Sequence, residues 1–236
     1  MNWTAKARTA SSSASSAVAA VRAKPGPTPT VAVANSNSRV SNGLKEFLWL
    51  ISDVERARVL DLGQVSQSTL NFFIERGCRI STEDLLRSWK DFLTTEEERL
   101  RQTPIGQASE RISQAALAEK FLETALQYPE NTYHGVLAWD LFDYLDAELL
   151  PRVMARLYNL LCPGGSVLAQ FHSKPPERFH RYRLIDHQTI ETLPAPTITL
   201  HAHVFQNREI LDIFGQFRTS KTFVGRDQVR EALFLK

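Results

Sequence analysis

A doubly wound α/β domain, built on a mostly parallel sheet with an antiparallel C-terminal part, is the architecture this sequence predicts. Three observations predict it. Arg58-Val59-Leu60-Asp61-Leu62-Gly63 is a buried-strand pattern that ends in an acid and a glycine. Gly135-Val136-Leu137-Ala138-Trp139 is a second such run, ending at Asp140. Amphipathic helical stretches alternate with these short apolar segments, which is the pattern of βαβ units. In an open parallel sheet small molecules bind outside the carboxyl ends of the strands. The turn from Gly63 through Gln64, Val65 and Ser66 is therefore the first place to look for a nucleotide-like ligand.

Composition narrows the function classes. The chain has 236 residues, 43% of them hydrophobic, enough for one good core, so one domain plus a tail is the expectation. A formal net charge of +2 gives no global case for a nucleic-acid binder or a membrane-surface protein. No apolar run approaches the roughly 20 residues that span a bilayer. Cys78 and Cys162 stand far apart in core-like segments, which fits a reducing cytoplasm and gives no sign of a disulfide framework or metal clip. The expectation is a soluble, cytoplasmic protein.

Residues 1–42 are a different material from residues 43–236, the expected folded domain. Ala, Ser, Thr, Pro and Asn dominate there, with too little large apolar surface to offset the entropy of ordering, so a disordered tail is predicted. Lys6, Arg8, Arg22, Lys24 and Arg39, with no acid before Glu46, give a composition shared with organelle transit peptides; a solvated tail is the reading preferred over targeting.

Within the domain, Leu44, Phe47, Leu48 and Ile51 recur at helical spacing. After the first strand, Leu70, Phe72, Phe73 and Ile74 form a helix face, Gly77 supplies a left-handed C-cap, and Arg79-Ile80-Ser81-Thr82 is the second strand. Residues 84–127 read as mostly helical, interrupted by a charged excursion from Thr94 to Gln107, with a very short third strand around Leu126-Gln127-Tyr128. Leu149 to Leu161 is an amphipathic helix, Cys162-Pro163-Gly164-Gly165 a turn, and Ser166 to His172 the next strand. Extended stretches fill Arg181 to Phe205. Asn207 to Gly215 is a short helix with Asn207 at its N-cap, Phe217 to Val224 a last strand, and Arg226 to Leu235 a closing helix.

In their order and spacing, Val59-Leu60-Asp61-Leu62-Gly63, Asp84 after the second strand, Val136 to Asp140, and Leu160-Leu161-Cys162-Pro163-Gly164-Gly165 before a strand resemble the class I S-adenosylmethionine-dependent methyltransferases. The resemblance covers roughly residues 44–172 and implies a Rossmann-like methyltransferase fold with S-adenosylmethionine as cofactor. It implies that the turn at Asp61, Gly63, Gln64 and Ser66 approaches the methionine end of the cofactor. Asp84, with Glu83 as second choice, would then hold the ribose hydroxyls, and Asp140 beside Trp139 would lie near the transferring methyl. The family carries further glycines two and four residues after the first, where this chain has Val65 and Gln67. A β-branched residue allows neither positive φ nor close backbone approach at no cost.

Single residues carry competing readings. Asp61 can hold a ligand amine or cap nearby N–H groups, and Asp140 can line the site or cap the following helix. Trp139 is more often core than an adenine wall. His172, at the end of its strand, is a candidate general base for a substrate hydroxyl or amine, although a lone histidine is more often structural. His201-Ala202-His203 puts two rings on one face of a strand but lacks a third ligand, so no metal is expected. Arg178, His180, Arg181 and Arg183, with Phe179 and Tyr182, suit either an acidic substrate or a wet sheet edge. The function expected is S-adenosylmethionine-dependent methyl transfer to an unidentified substrate, a small molecule or one of unknown class, with nucleic acid and membrane disfavoured as partners. The alternative is a catalytically inactive domain of the same fold acting as a binding or assembly module, which Val65 and Gln67 favour.

Overall fold

The computed structural model describes residues 37–102, 113–196, 201–225, 227 and 229–236. The predicted tail lies outside the described residues up to residue 36. Its last residues are ordered: β1 (Ser38–Val40) is a strand, and Ser41 accepts from the Leu44 N–H at 2.9 Å to start α1 (Asn42–Ser52). That helix buries Leu44, Phe47 and Ile51 on one face, as their spacing requires. β2 (Arg58–Asp61) leads into α2 (Gln67–Ile74), Gly77 follows at a φ of 73°, and β3 (Arg79–Thr82) completes the first βαβ unit.

Next come α3 (Leu85–Gln102) and α4 (Gln114–Leu122), so the excursion expected from Thr94 is helix as far as Gln102 and lies outside the described residues beyond it. The short strand expected at Leu126-Gln127-Tyr128 does not form. Leu126 has a φ of 55°, and its carbonyl accepts from the Arg156 guanidinium at 2.9 Å instead of from a neighbouring strand. β4 (Tyr133–Trp139), α5 (Leu149–Leu160) and β5 (Leu161–His172) follow. The predicted turn at Cys162–Gly165 is an irregularity inside β5, where pairing with β4 jumps from Tyr133 opposite Leu161 to Gly135 opposite Ser166.

β6 (His180–Leu184) and β7 (Thr189–Pro194) form a hairpin, and residues 201–206, including His201-Ala202-His203, are coil rather than strand. α6 (Asn207–Ile213) is capped by Gln206, not Asn207: the Gln206 N–H donates to Glu209, while the Asn207 side chain is taken by Arg230. The last elements are β8 (Thr219–Val224) and β9 (Val229–Leu235). The closing helix predicted over Arg226 to Leu235 is thus a strand. Glu231, Ala232 and Leu233 favour helix, but β9 lies between β5 and β8 and pairs antiparallel with both, so tertiary pairing overrides local preference.

Among the described residues the central sheet runs β3-β2-β4-β5-β9-β8. Its first four strands are mutually parallel and β9 is antiparallel to both neighbours, which is the doubly wound sheet with an antiparallel C-terminal part. Successive residues of each strand enter opposite layers, as the period of two demands. Leu60, Val136, Ala138, Val167, Ala169 and Phe234 pack with α3, α4, α5 and α6, whereas Val59, Leu137, Leu168 and Leu233 pack with α1 and α2. Tyr182, Leu184 and Ile190, from a separate antiparallel sheet of order β1-β7-β6, join the second layer. Among the described residues no helix is long and apolar enough to cross a membrane.

Candidate functional site

β3 lies on one side of β2 and β4 on the other, so the chain changes direction across the sheet between β2 and β4. A crevice is expected outside the carboxyl ends of these two strands. Gly63, Gln64, Asp84, Trp139 and Asp140, all candidates from the sequence, line it together. Asp61 lies at its base through the Trp139 contact described below. Ser66, Glu83 and His172 do not line it. The Ser66 hydroxyl pairs with that of Ser68 at 3.0 Å, and Glu83 accepts from the Leu126 N–H at 2.9 Å.

The crevice is filled from within. Trp139, buried and with its backbone at a φ of 49°, folds its indole over Gly63 and donates from Nε1 to Asp61 Oδ1 at 2.6 Å. A Cβ at position 63 would lie 2.5 Å from Trp139 Cδ1, so the glycine here makes room for the indole. Tyr182 of β6 stacks on the Trp139 ring, with centroids 5.4 Å apart and planes within 7°, and its hydroxyl donates to Asp140 Oδ2 at 2.8 Å. About 20 Å³ of space remains. That volume suits a water molecule, for which roughly 10–15 Å³ suffices, while small-molecule sites occupy roughly 300–1,000 Å³.

Electrostatics agree with a closed site. Burial pushes the Asp61 carboxyl up to about 6 despite hydrogen bonds from the Trp139 indole and the Gly63 N–H. Asp140 is likewise pushed up to about 6 by burial, against the lowering pull of His172 and the Tyr182 hydroxyl. Asp84 is raised, chiefly by burial, and accepts from the Arg87 N–H at the start of α3. Each acid therefore has an intrachain partner.

His172 gains a partner that the sequence did not reveal. Asp143, in the 3₁₀ turn Leu141–Tyr144, accepts from the His172 backbone N–H at 2.8 Å and lies 2.9 Å from its Nδ1. Burial alone would lower the imidazole, but the Asp143 hydrogen bond and the charges of Asp140 and Asp143 raise it overall. Tyr182 was legible only as an apolar residue alternating with charges in His180–Leu184, a spacing that puts Tyr182 and Leu184 on one face. Asp143 gave no spacing signal. Among the described residues no group of three or more His, Cys, Asp or Glu could hold a metal ion; His201 and His203 are exposed.

The strand order β3-β2-β4-β5-β9-β8, with β9 antiparallel to both neighbours, is that of a Rossmann-like, doubly wound α/β fold. No protein-family model and no curated protein matches the chain. Among solved structures it is similar to Burkholderia thailandensis 1,6-didemethyltoxoflavin-N1-methyltransferase with bound 1,6-didemethyltoxoflavin and S-adenosylhomocysteine, at 15% identity and a TM-score of 0.43, over 83% of this chain and 79% of that one. It is similar to a SAM-dependent methyltransferase from Archaeoglobus fulgidus at 15% identity and a TM-score of 0.42, over 82% and 93%. A methyltransferase from Mesorhizobium loti gives 13% identity and 0.42, over 81% and 98%. The fold assignment rests on the strand order itself. As arranged, the space beside Trp139 and Tyr182 does not admit a nucleoside-sized cofactor.

Proposed function

We propose that the chain is a methyltransferase-fold domain that works as a binding or assembly module, its cofactor crevice closed by its own aromatic side chains. The observation that carries this reading is the Trp139 indole seated over Gly63 and bonded to Asp61, with about 20 Å³ left beside it. Val65 and Gln67, which stand where the resemblance calls for further glycines, agree with it.

A second reading is S-adenosylmethionine-dependent methyl transfer to a small molecule. The left-handed backbone of Trp139 favours it. A bulky residue held in that region stores strain, and strain over a strand end is a feature of gates. Calorimetric titration with S-adenosylmethionine and S-adenosylhomocysteine decides between the two. The module reading expects no saturable heat from the wild type at millimolar ligand; micromolar binding would overturn it. The same titration of Trp139→Ala, with circular dichroism to check the fold, tests the closure itself: binding gained where the wild type is silent shows that the indole is what shuts the crevice, while micromolar binding by both proteins supports the enzyme.

A further inference from the structure

Trp49 of α1 is 67% exposed, on the side of the helix away from the buried Leu44, Phe47 and Ile51. A cavity lies on each side of it. One, of about 490 Å³, is set between α1, α2 and the turn that joins β6 to β7. The other, of about 450 Å³, is set between α1 and β8. Trp49 and Lys45 line both, so the two cavities form one groove with the indole as a ridge across it.

The groove is apolar within and cationic at its rim. Leu48, Ile51, Val54 and Phe73 line the first cavity, with Cys78 beside them, and Phe223 lines the second. Lys45 and His187 are exposed. Arg76 is exposed as well, and it is fixed in place: its Nη1 donates to the Phe72 carbonyl at 2.9 Å and its guanidinium lies 3.5 Å from the centre of the Phe72 ring. The lone carboxylate among the described lining residues, Glu46, is already engaged by Lys221. An exposed apolar patch rimmed by polar residues marks an interaction site, and tryptophan and arginine are the side chains that anchor protein contacts.

Charge selects the occupant. Residues 1–36 of the chain itself carry Lys6, Arg8, Arg22 and Lys24 and no acid, the same sign as the groove. A symmetric dimer through this face would set the patch against its own copy, Lys45 and Arg76 against the same cations. An acidic partner meets neither objection. We propose that the groove docks an amphipathic segment of another protein, which lays apolar side chains on both sides of Trp49 and sets Asp or Glu against Lys45 and Arg76. This gives the binding-module reading a class of partner, yet it uses none of the crevice residues.

Random peptides displayed on phage are selected on the immobilised full-length protein, with Trp49→Ala as the counter-selection target. Surviving sequences are expected to carry spaced apolar residues and an excess of Asp and Glu. Synthetic copies should bind the wild type at micromolar concentration in calorimetry, and Lys45→Glu should raise the dissociation constant roughly tenfold or more. Both substitutions fall at exposed positions, and circular dichroism checks the fold. In a Cys162→Ser background Cys78 is the remaining thiol, and bound peptide should slow its reaction with a maleimide. The proposal is overturned if no peptide survives, if the survivors lack an acidic excess, or if their affinity is unchanged in Lys45→Glu. A wild-type dimer in light scattering that Trp49→Ala dissolves also overturns it, by assigning the face to a second copy. None of these results bears on the S-adenosylmethionine titration, so the two readings fail separately.

Discussion

At Asp61, a carboxyl with an ordinary value of 3.8 is held at about 6 by burial. Between those two values the folded protein holds a proton that the unfolded chain releases. The stability this contributes is complete below about pH 4 and is lost as pH rises through 6, up to about 3 kcal/mol for a two-unit shift. Asp61→Asn keeps an oxygen to accept from Trp139 Nε1 but cannot ionise. The variant is expected to match the wild type at pH 4 and to be more stable above pH 7, as measured by denaturant melts at both. Gly63→Ala acts at the same spot by sterics. With a Cβ 2.5 Å from Trp139 Cδ1, it displaces the indole and should cost about 1–3 kcal/mol by the same assay. Neither interaction was visible in the sequence. The glycine at position 63 was legible as a site of close approach, but that the approaching group is the chain's own Trp139 depends on a left-handed backbone that a tryptophan rarely adopts.

The helices and strands of the first half follow from spacing because their neighbours in space are also near in sequence. α2 ends where Gly77 makes it end, and since a Cβ there would meet nothing within 4 Å, Gly77→Ala should cost only the backbone penalty of about 1 kcal/mol, seen as a small fall in the melting temperature. β9 failed to announce itself because its identity is decided by partners 60 or so residues earlier in β5 and by β8, not by its own composition. β6 was legible as an extended, charged stretch, but its role was not, because that depends on Tyr182 crossing to Asp140 on another sheet. Tyr182→Phe tests that contact. Above pH 6, where Asp140 is ionised, losing the hydroxyl should cost about 1–3 kcal/mol, and near pH 4 much less, a difference that paired thermal melts resolve.

For the molecule as a whole, the alternation of strands and helices from β2 to β5 was recoverable from hydrophobic period, and so was the pair of strand ends where a ligand is expected; the full strand order was not, because β9 read as a helix. What fills that place was not recoverable, since Trp139, Tyr182 and Asp143 act through contacts that span three elements and two sheets. The position of β9 has a further consequence, for biosynthesis. β5 and β8 share no hydrogen-bonded neighbour until β9 slides between them, and β9 follows every other strand in the chain. While a ribosome is still delivering residues 229–235, β5 presents an open, apolar edge to the cell. Such an edge is a template for wrong pairing, so nascent chains stalled before those residues should be chaperone clients even though every other strand of the sheet has already been made.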